Sequence, residues 1–293
     1  MSIALLFPGQ GSQAVGMGRA LYERHPEIRP LFEEAESVIG LPLRQLMFEG
    51  PPEALQRTAI TQPALYLHGF AVAQVRQIQA QAAAGHSLGE FTALAVAGVF
   101  SFSEGLYLVK VRAQAMQEAC DKHPGTMAAI IGLEEATVAA LCSEVTEGIV
   151  VPANYNSPGQ IVISGETAAV DSVIEKAKAA GAKLVKKLAV NGAFHSPLME
   201  SARHKLAEAI QPLSFHPPRF PVYPNVTGCA ESDPSRLKAL LIEQLTAPVR
   251  WTQTLQHLWE DGIRTFYELG PGTVLNGLVR RTLSEAITAS YDS

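Results

Sequence analysis

Residues 3–7 form a short unbroken apolar run, Ile3-Ala4-Leu5-Leu6-Phe7, that stops at Pro8-Gly9. A run of this length closed by Pro and Gly is the pattern of a buried strand ending in a turn. Spacings near 3.6 then predict helices over residues 21–39, 52–55 and 62–78, the last amphipathic. Ala82-Ala83-Ala84 is again a compact apolar run, and Glu90 to Ala97 follows with helix-forming residues and an apolar face. Strand, turn and helix are thus expected around residue 87. A helix over residues 102–119, starting near Ser103, places Arg112 and Met116 one turn apart on a common face.

The pattern changes at Gly125. Residues 127–133 read as a strand, 134–145 as a helix, 149–154 and 160–164 as strands around Asn156-Ser157-Pro158-Gly159, 167–180 as a helix and 183–190 as a strand. That order is β-α-β-β-α-β, the ferredoxin-like unit, closed by Asn191-Gly192. Beyond it come a helix over 197–210, strands near 220–223 and 265–269, the turn Gly270-Pro271-Gly272 and a last helix. The expectation is a discontinuous large α/β domain, residues 1–123 and 192–293, with a small α+β domain, 124–191, inserted in it.

A length of 293 residues with 47% hydrophobic content supports more than one core. The net charge of -5, without a basic run, argues against a nucleic-acid partner. Cys120, Cys142 and Cys229 are odd in number and lack zinc-site spacing, which suits a reducing compartment and no metal. The chain enters its first strand without a charged leader, and no apolar run has the length of a membrane span, so the expectation is cytoplasmic and off the membrane.

Gly85-His86-Ser87-Leu88-Gly89 has the Gly-x-Ser-x-Gly spacing that lets a serine sit as a nucleophile on a tight strand-to-helix turn. In a chain with 23 glycines the same letters also describe an ordinary turn. A serine hydroxyl is a weak nucleophile at neutral pH, so the functional reading needs a base and oxyanion donors elsewhere. Among eight histidines, His25, His123, His204 and His257 lie in polar settings, His68 falls within a helix, His216 stands beside prolines, and His86 adjoins the serine with its side chain directed away. His195 sits where the chain leaves the small domain and re-enters the large one, a place where clefts form. From position alone it is either the base or a structural histidine. The turn Pro8-Gly9-Gln10-Gly11-Ser12-Gln13 could present amides to an anion.

Phe7-Pro8-Gly9-Gln10-Gly11-Ser12-Gln13, Thr61-Gln62-Pro63-Ala64, Gly85-His86-Ser87-Leu88-Gly89-Glu90, Val111-Arg112-Ala113-Gln114-Ala115-Met116, Asn156-Ser157-Pro158-Gly159-Gln160, Phe194-His195-Ser196-Pro197-Leu198-Met199 and Glu268-Leu269-Gly270-Pro271-Gly272 occur in this order. Together they resemble the malonyl-CoA:acyl carrier protein transacylase family. The resemblance implies an α/β-hydrolase-like large domain carrying the ferredoxin-like insert. It implies Ser87 as nucleophile, His195 as base, and the N–H groups of Gln10 and Leu88 as the oxyanion hole. Arg112 would hold the free malonyl carboxylate, with Gln62 and Met116 beside it in the pocket wall. A bulky Phe194, and Leu88 after the serine, resemble malonyl-selective members.

In this family backbone carbonyls orient the histidine, and the resemblance implies that role for the carbonyl of Arg250 in Ala247-Pro248-Val249-Arg250-Trp251, where some members carry glutamine. The implied partners are malonyl-CoA and an acyl carrier protein, with no cofactor and a monomeric state. Lys183, Lys186 and Lys187 are candidate contacts for an acidic carrier, or plain solubilising charges. An editing acyl hydrolase of the same lineage and a non-catalytic docking module are the competing classes. Such hydrolases tend to lack the arginine, and a docking module would have lost the serine or the histidine.

Overall fold

The structure is a computed structural model and describes residues 2–293. Among the described residues nine strands divide between two sheets: β1 (Ile3–Phe7), β2 (Ala82–Gly85), β3 (Gly125–Ile131), β4 (Val150–Ser157), β5 (Gln160–Glu166), β6 (Leu184–Lys187), β7 (Val222–Tyr223), β8 (Thr265–Leu269) and β9 (Ile287–Tyr291). The first sheet runs β7-β2-β1-β8-β9 and is parallel throughout. The second runs β4-β5-β3-β6 and is antiparallel.

The apolar run of β1 follows from burial on both faces. Leu5 and Phe7 pack toward the helices Thr58–Arg76, Gly89–Ala97 and Phe102–Lys122, while Ala4 and Leu6 pack toward Trp251, Leu255, Phe266 and Leu278. In the antiparallel sheet the alternation is resolved. Ala128, Ile130, Ile161 and Ile163 bury against the helices Glu135–Ser143 and Thr167–Ala179, and Met127, Ala153 and Val162 face the other way, toward Leu188, Val190 and Phe194. The antiparallel sheet is tied to the segment before the helix Trp251–Glu260 where Tyr155 N donates to Val249 O at 2.9 Å and Val249 N to Ala153 O at 2.8 Å.

Several elements differ from the sequence pattern, each for a local reason. The helix expected over 21–39 is broken at His25-Pro26 into Arg19–Arg24, a 3-10 turn Pro26–Ile28, and Arg29–Ile39, because proline cannot continue the ladder. The helix Phe102–Lys122 is capped by Ser101 rather than Ser103, through a capping box with Glu104. The helix Thr58–Arg76 is buried nearly all round from Thr58 to Val72, so it is a core helix and not an amphipathic one. The last strand of the small sheet ends at Lys187, and beyond it Leu188 and Val190 line the cleft. Helices Leu43–Glu49, Pro234–Glu243 and Trp251–Glu260, and the edge strand β9, had no assignment from the pattern. Among the described residues no helix is long and apolar enough to cross a membrane.

Candidate functional site

Ser87 stands between the C-terminal end of β2 and the helix Gly89–Ala97, with φ at 53°, a left-handed conformation that L-residues avoid. Small neighbours make the turn possible. A Cβ on Gly85 would collide with the backbone of Gly89, and one on Gly89 with the carbonyl of Phe7 at the end of β1. Asn225, just after β7, braces the turn from the side: its Oδ1 accepts from Ser87 N at 2.7 Å and its Nδ2 donates to Gly85 O at 2.7 Å. His86 points away from the serine, as expected. Its Nε2 pairs with Asn156 Oδ1 of β4 at 2.8 Å and its ring lies against Trp251, which ties the turn to the small sheet.

His195 meets the serine across 108 residues of sequence, its Nε2 2.8 Å from Ser87 Oγ. It too has a positive φ, 57°, set by the reversal where the chain returns from the small sheet. Nδ1 donates to the carbonyl oxygens of Gln244 at 3.0 Å and Ala247 at 3.2 Å, which fixes the tautomer that leaves Nε2 free to accept. The carbonyl of Arg250 is not an acceptor for His195, contrary to the sequence expectation. It receives Thr254 N and Oγ1, because Arg250 caps the helix Trp251–Glu260 and its carbonyl is committed to that first turn. Burial, then the charge of Arg112, push the imidazole down to about 3, so His195 is neutral at physiological pH.

Arg112 is 1% exposed, on the helix Phe102–Lys122. Nη1 donates to Gln62 Oε1 at 2.8 Å, and Nη2 to Ser87 Oγ at 3.0 Å and Gln244 Oε1 at 3.2 Å. All these acceptors are neutral, and the guanidinium plane lies over the Phe91 ring, 5.4 Å from its centroid. Its Nε is without a partner among the described residues. Burial lowers the guanidinium to about 10, with the charge of Glu90 acting the other way, so it stays a cation at neutral pH.

Gln62, Met116 and Phe194 line one cavity with Ser87, His195 and Arg112, enclosing about 950 Å³ open to solvent. Gln62 Nε2 also reaches Met116 Sδ at 3.5 Å, which fixes the amide so that its oxygen faces Arg112. Gln10 and Leu88 line the same cavity, and Leu88 is the N-cap of the helix Gly89–Ala97, where amides lack intrahelical acceptors. Lys183, Lys186 and Lys187 are exposed on or beside β6, outside the cavity wall, and Lys187 is paired with Asp171 at 2.8 Å.

Three residues of the site escaped the sequence reading as functional groups: Glu90, Asn225 and Gln244. Glu90 is 1% exposed, and its Oε2 accepts from Asn225 N at 2.9 Å and Gln244 Nε2 at 2.8 Å. Burial pushes its carboxyl up to about 7 against these hydrogen bonds and the Arg112 charge. Only Glu90 left a trace in sequence, as the acid after Gly89 in the serine motif. Asn225 and Gln244 lie in loops and helix ends whose polar residues look ordinary until the fold turns them inward.

A serine on a strained turn, a neutral histidine with its outer nitrogen held by carbonyls, and a buried arginine without a carboxylate together form an acyl-transfer constellation. The comparisons agree with that chemistry. The chain is 42% identical over 292 residues to the malonyl CoA-acyl carrier protein transacylase of Escherichia coli K12, covering 98% of this chain and 94% of that protein. Its structure superposes with a TM-score of 0.97, at 39% identity, on the malonyl CoA-acyl carrier protein transacylase of Coxiella burnetii, covering 100% of this chain and 94% of that one. A malonyl-transacylase solved in complex with its type II polyketide acyl carrier protein matches at TM-score 0.96 and 41% identity, covering 100% of this chain and 96% of the other. The family described as acyl transferase domain matches residues 4–291, and this chain belongs to it.

Proposed function

We propose that this protein moves a malonyl group from coenzyme A to the phosphopantetheine thiol of an acyl carrier protein, through a malonyl ester on Ser87. The observation that carries the reading is Arg112, a buried cation with only neutral partners, 3.0 Å from the serine oxygen. A buried charge whose hydrogen-bond partners are all neutral is costly unless the ligand brings an anion into contact with it. A malonyl group brings a carboxylate; an acetyl group does not.

In the first half-reaction Ser87 Oγ adds to the thioester carbonyl while His195 Nε2 takes its proton. The negative oxygen of the tetrahedral state is received by the N–H groups of Gln10 and Leu88, worth about a hundredfold to a thousandfold per donor. Collapse breaks the C–S bond, and His195 returns the proton to the departing thiolate. In the second half the carrier thiol gives its proton to His195 and adds to the ester. The C–O bond then breaks and the proton goes back to Ser87 Oγ. A carboxylate on Arg112 offsets the charge that helps hold His195 low, so binding of the diacid raises the basicity of the base that acts on it.

The insert, residues 124–191, is read as ferredoxin-like, supported by its β-α-β-β-α-β succession and by the strand order β4-β5-β3-β6. Residues 1–123 and 192–293 are read as the hydrolase-like domain on the strength of the serine turn; in chain order their strands run 3-2-1-4-5, the doubly wound arrangement. Phe194 in the cavity wall opposes a methyl branch on the substrate, a discrimination of about 1 to 3 kcal/mol. Lys183 and Lys186 remain the free charges for steering an acidic carrier. The reading includes a monomer acting in the cytoplasm without a bound cofactor.

Intact-protein mass spectrometry after mixing with malonyl-CoA, followed by addition of a holo carrier, tests it. A malonyl adduct that moves to the carrier is the expected result. An adduct lost only to water would favour the editing hydrolase, and no adduct would leave a docking module.

A further inference from the structure

We infer that Glu90 is a positioning residue for acyl selection: through the side chain of Gln244 it holds the Arg112 fork at Ser87 without neutralising it. The inference rests on the reading of Arg112 as the carboxylate clamp. Its geometry is a relay of hydrogen bonds. Glu90 Oε2 accepts from Gln244 Nε2 at 2.8 Å, the same nitrogen donates to Ser87 O at 3.0 Å, and Gln244 Oε1 accepts from Arg112 Nη2 at 3.2 Å. Glu90 is itself anchored by Asn225 N at 2.9 Å, and Gln244 is fully buried.

A primary amide has one end that only donates and one that only accepts. Two acceptors, the Glu90 carboxyl and the Ser87 carbonyl, claim the NH2 end, so the oxygen has to face Arg112, which can only donate. Without the Glu90 acceptor only the Ser87 carbonyl holds the NH2 end, and an amide that turns sets donors against the guanidinium. A carboxylate touching Arg112 directly would satisfy it, and the substrate carboxylate would then have to displace a bound anion. Placing an amide between the two passes orientation along the relay while the cation keeps its demand for an anion. The Gln244 backbone carbonyl holds His195 independently of this side chain. Loss of the relay therefore acts on Arg112 before it acts on the base.

The test compares Ser87 labelling by malonyl-CoA and by acetyl-CoA in the full chain carrying Glu90→Ala, Glu90→Gln and Gln244→Leu, with Arg112→Ala alongside. The expected result is a loss of the malonyl-to-acetyl ratio of kcat/KM by about tenfold or more in Glu90→Ala and Gln244→Leu, since misplacement by about 1 Å can cost a hundredfold. Glu90→Gln keeps a carbonyl acceptor and is expected to restore the ratio to within about threefold of the parent. Equal losses with both acyl donors would mean a merely structural role and would overturn the inference. So would an unchanged ratio in Glu90→Ala, or a loss in Glu90→Gln as large as in Glu90→Ala. If Glu90→Ala does not fold, Gln244→Leu reads the same relay from its other end, and an unchanged ratio there overturns it too. A ratio unmoved in Arg112→Ala would instead remove the clamp reading itself.

Discussion

Arg112 Nη2 lies 3.0 Å from Ser87 Oγ, the same oxygen that His195 Nε2 approaches at 2.8 Å. Nucleophile, base and cation thus share a single atom. The carboxylate of a malonyl ester on that oxygen is separated from the ester carbonyl by one methylene, so a cation this close to Oγ matches a short diacid. The cavity has to recognise the far end of a very small acyl group, and it does so by placing the recognition group beside the reacting one.

Replacing Arg112 with Ala is therefore expected to divide acyl donors by charge. Losing charge-assisted hydrogen bonds of about 1.5 to 3 kcal/mol should lower malonyl labelling of Ser87 by about tenfold to a hundredfold. Acetyl labelling should be spared or raised, because the neutral group makes no use of the fork. The check is the rate of adduct formation by mass spectrometry with each donor, and malonyl labelling at the parental rate would refute the clamp.

The same substitution should move a pH profile. Burial and then the Arg112 charge hold His195 at about 3, against an ordinary value of 6.5. Removing the charge leaves burial and the smaller influence of His86 to depress it, so the imidazole becomes protonated at higher pH. The acid limb of kcat/KM for acetyl-CoA, which reports the free enzyme's base, should shift upward in Arg112→Ala relative to the parent. Superimposed limbs would mean that Arg112 does not set the basicity of His195.

How far the chain could be read before folding follows from where each signal resides. Ser87 was legible because its turn demands small residues on either side, and Gly85 and Gly89 write that demand into adjacent positions. His195 was legible only as a histidine at a crossing between domains, since nothing local marks a base that meets its serine across 108 residues. The carbonyls of Gln244 and Ala247 were not legible at all, because any residue supplies a carbonyl and only the path of the chain selects which ones point inward. The expectation fell instead on Arg250, a few residues further on, because the resemblance set it where some members carry glutamine. Burial likewise could not be read from the helix Thr58–Arg76, expected over 62–78 as amphipathic, which carries Thr58, Thr61, Gln62 and His68. In the fold they are enclosed, with Thr61 bonded to Leu55 O and Gln62 to Arg112.

Glu90 should leave its mark on stability as well as on selection. Its folded carboxyl is raised to about 7 from an ordinary 4.5, so between these values the folded state holds a proton that the unfolded state has released. Stability from this group is fully present below 4.5 and is lost as pH rises through 7, by no more than about 3 kcal/mol. Glu90→Gln removes the titration. The variant should gain stability relative to the parent between pH 5 and pH 8, measured by urea unfolding at each end with m-values held in common. A parent that loses nothing relative to the variant over that interval would place the Glu90 ionisation elsewhere.

Asn225 gives the sharpest separation between holding the turn and doing the chemistry. Its amide occupies both Ser87 N and Gly85 O, at 2.7 Å each, on either side of a residue with φ at 53°. Asn225→Ala leaves two buried backbone groups unpaired, about 1 to 3 kcal/mol apiece, and removes the brace from a conformation that costs about 1 to 3 kcal/mol to hold. The protein should lose stability, and kcat should fall more than KM rises, because the cavity that binds the acyl group stays while the serine drifts from His195. Asn225→Asp keeps an acceptor for Ser87 N but offers no donor to Gly85 O and adds a charge beside Glu90, so it should rescue little. Steady-state kinetics with malonyl-CoA, paired with thermal unfolding, separate the effects. A variant that melts early yet turns over at the parental kcat would show that the glycines alone hold Ser87 in place.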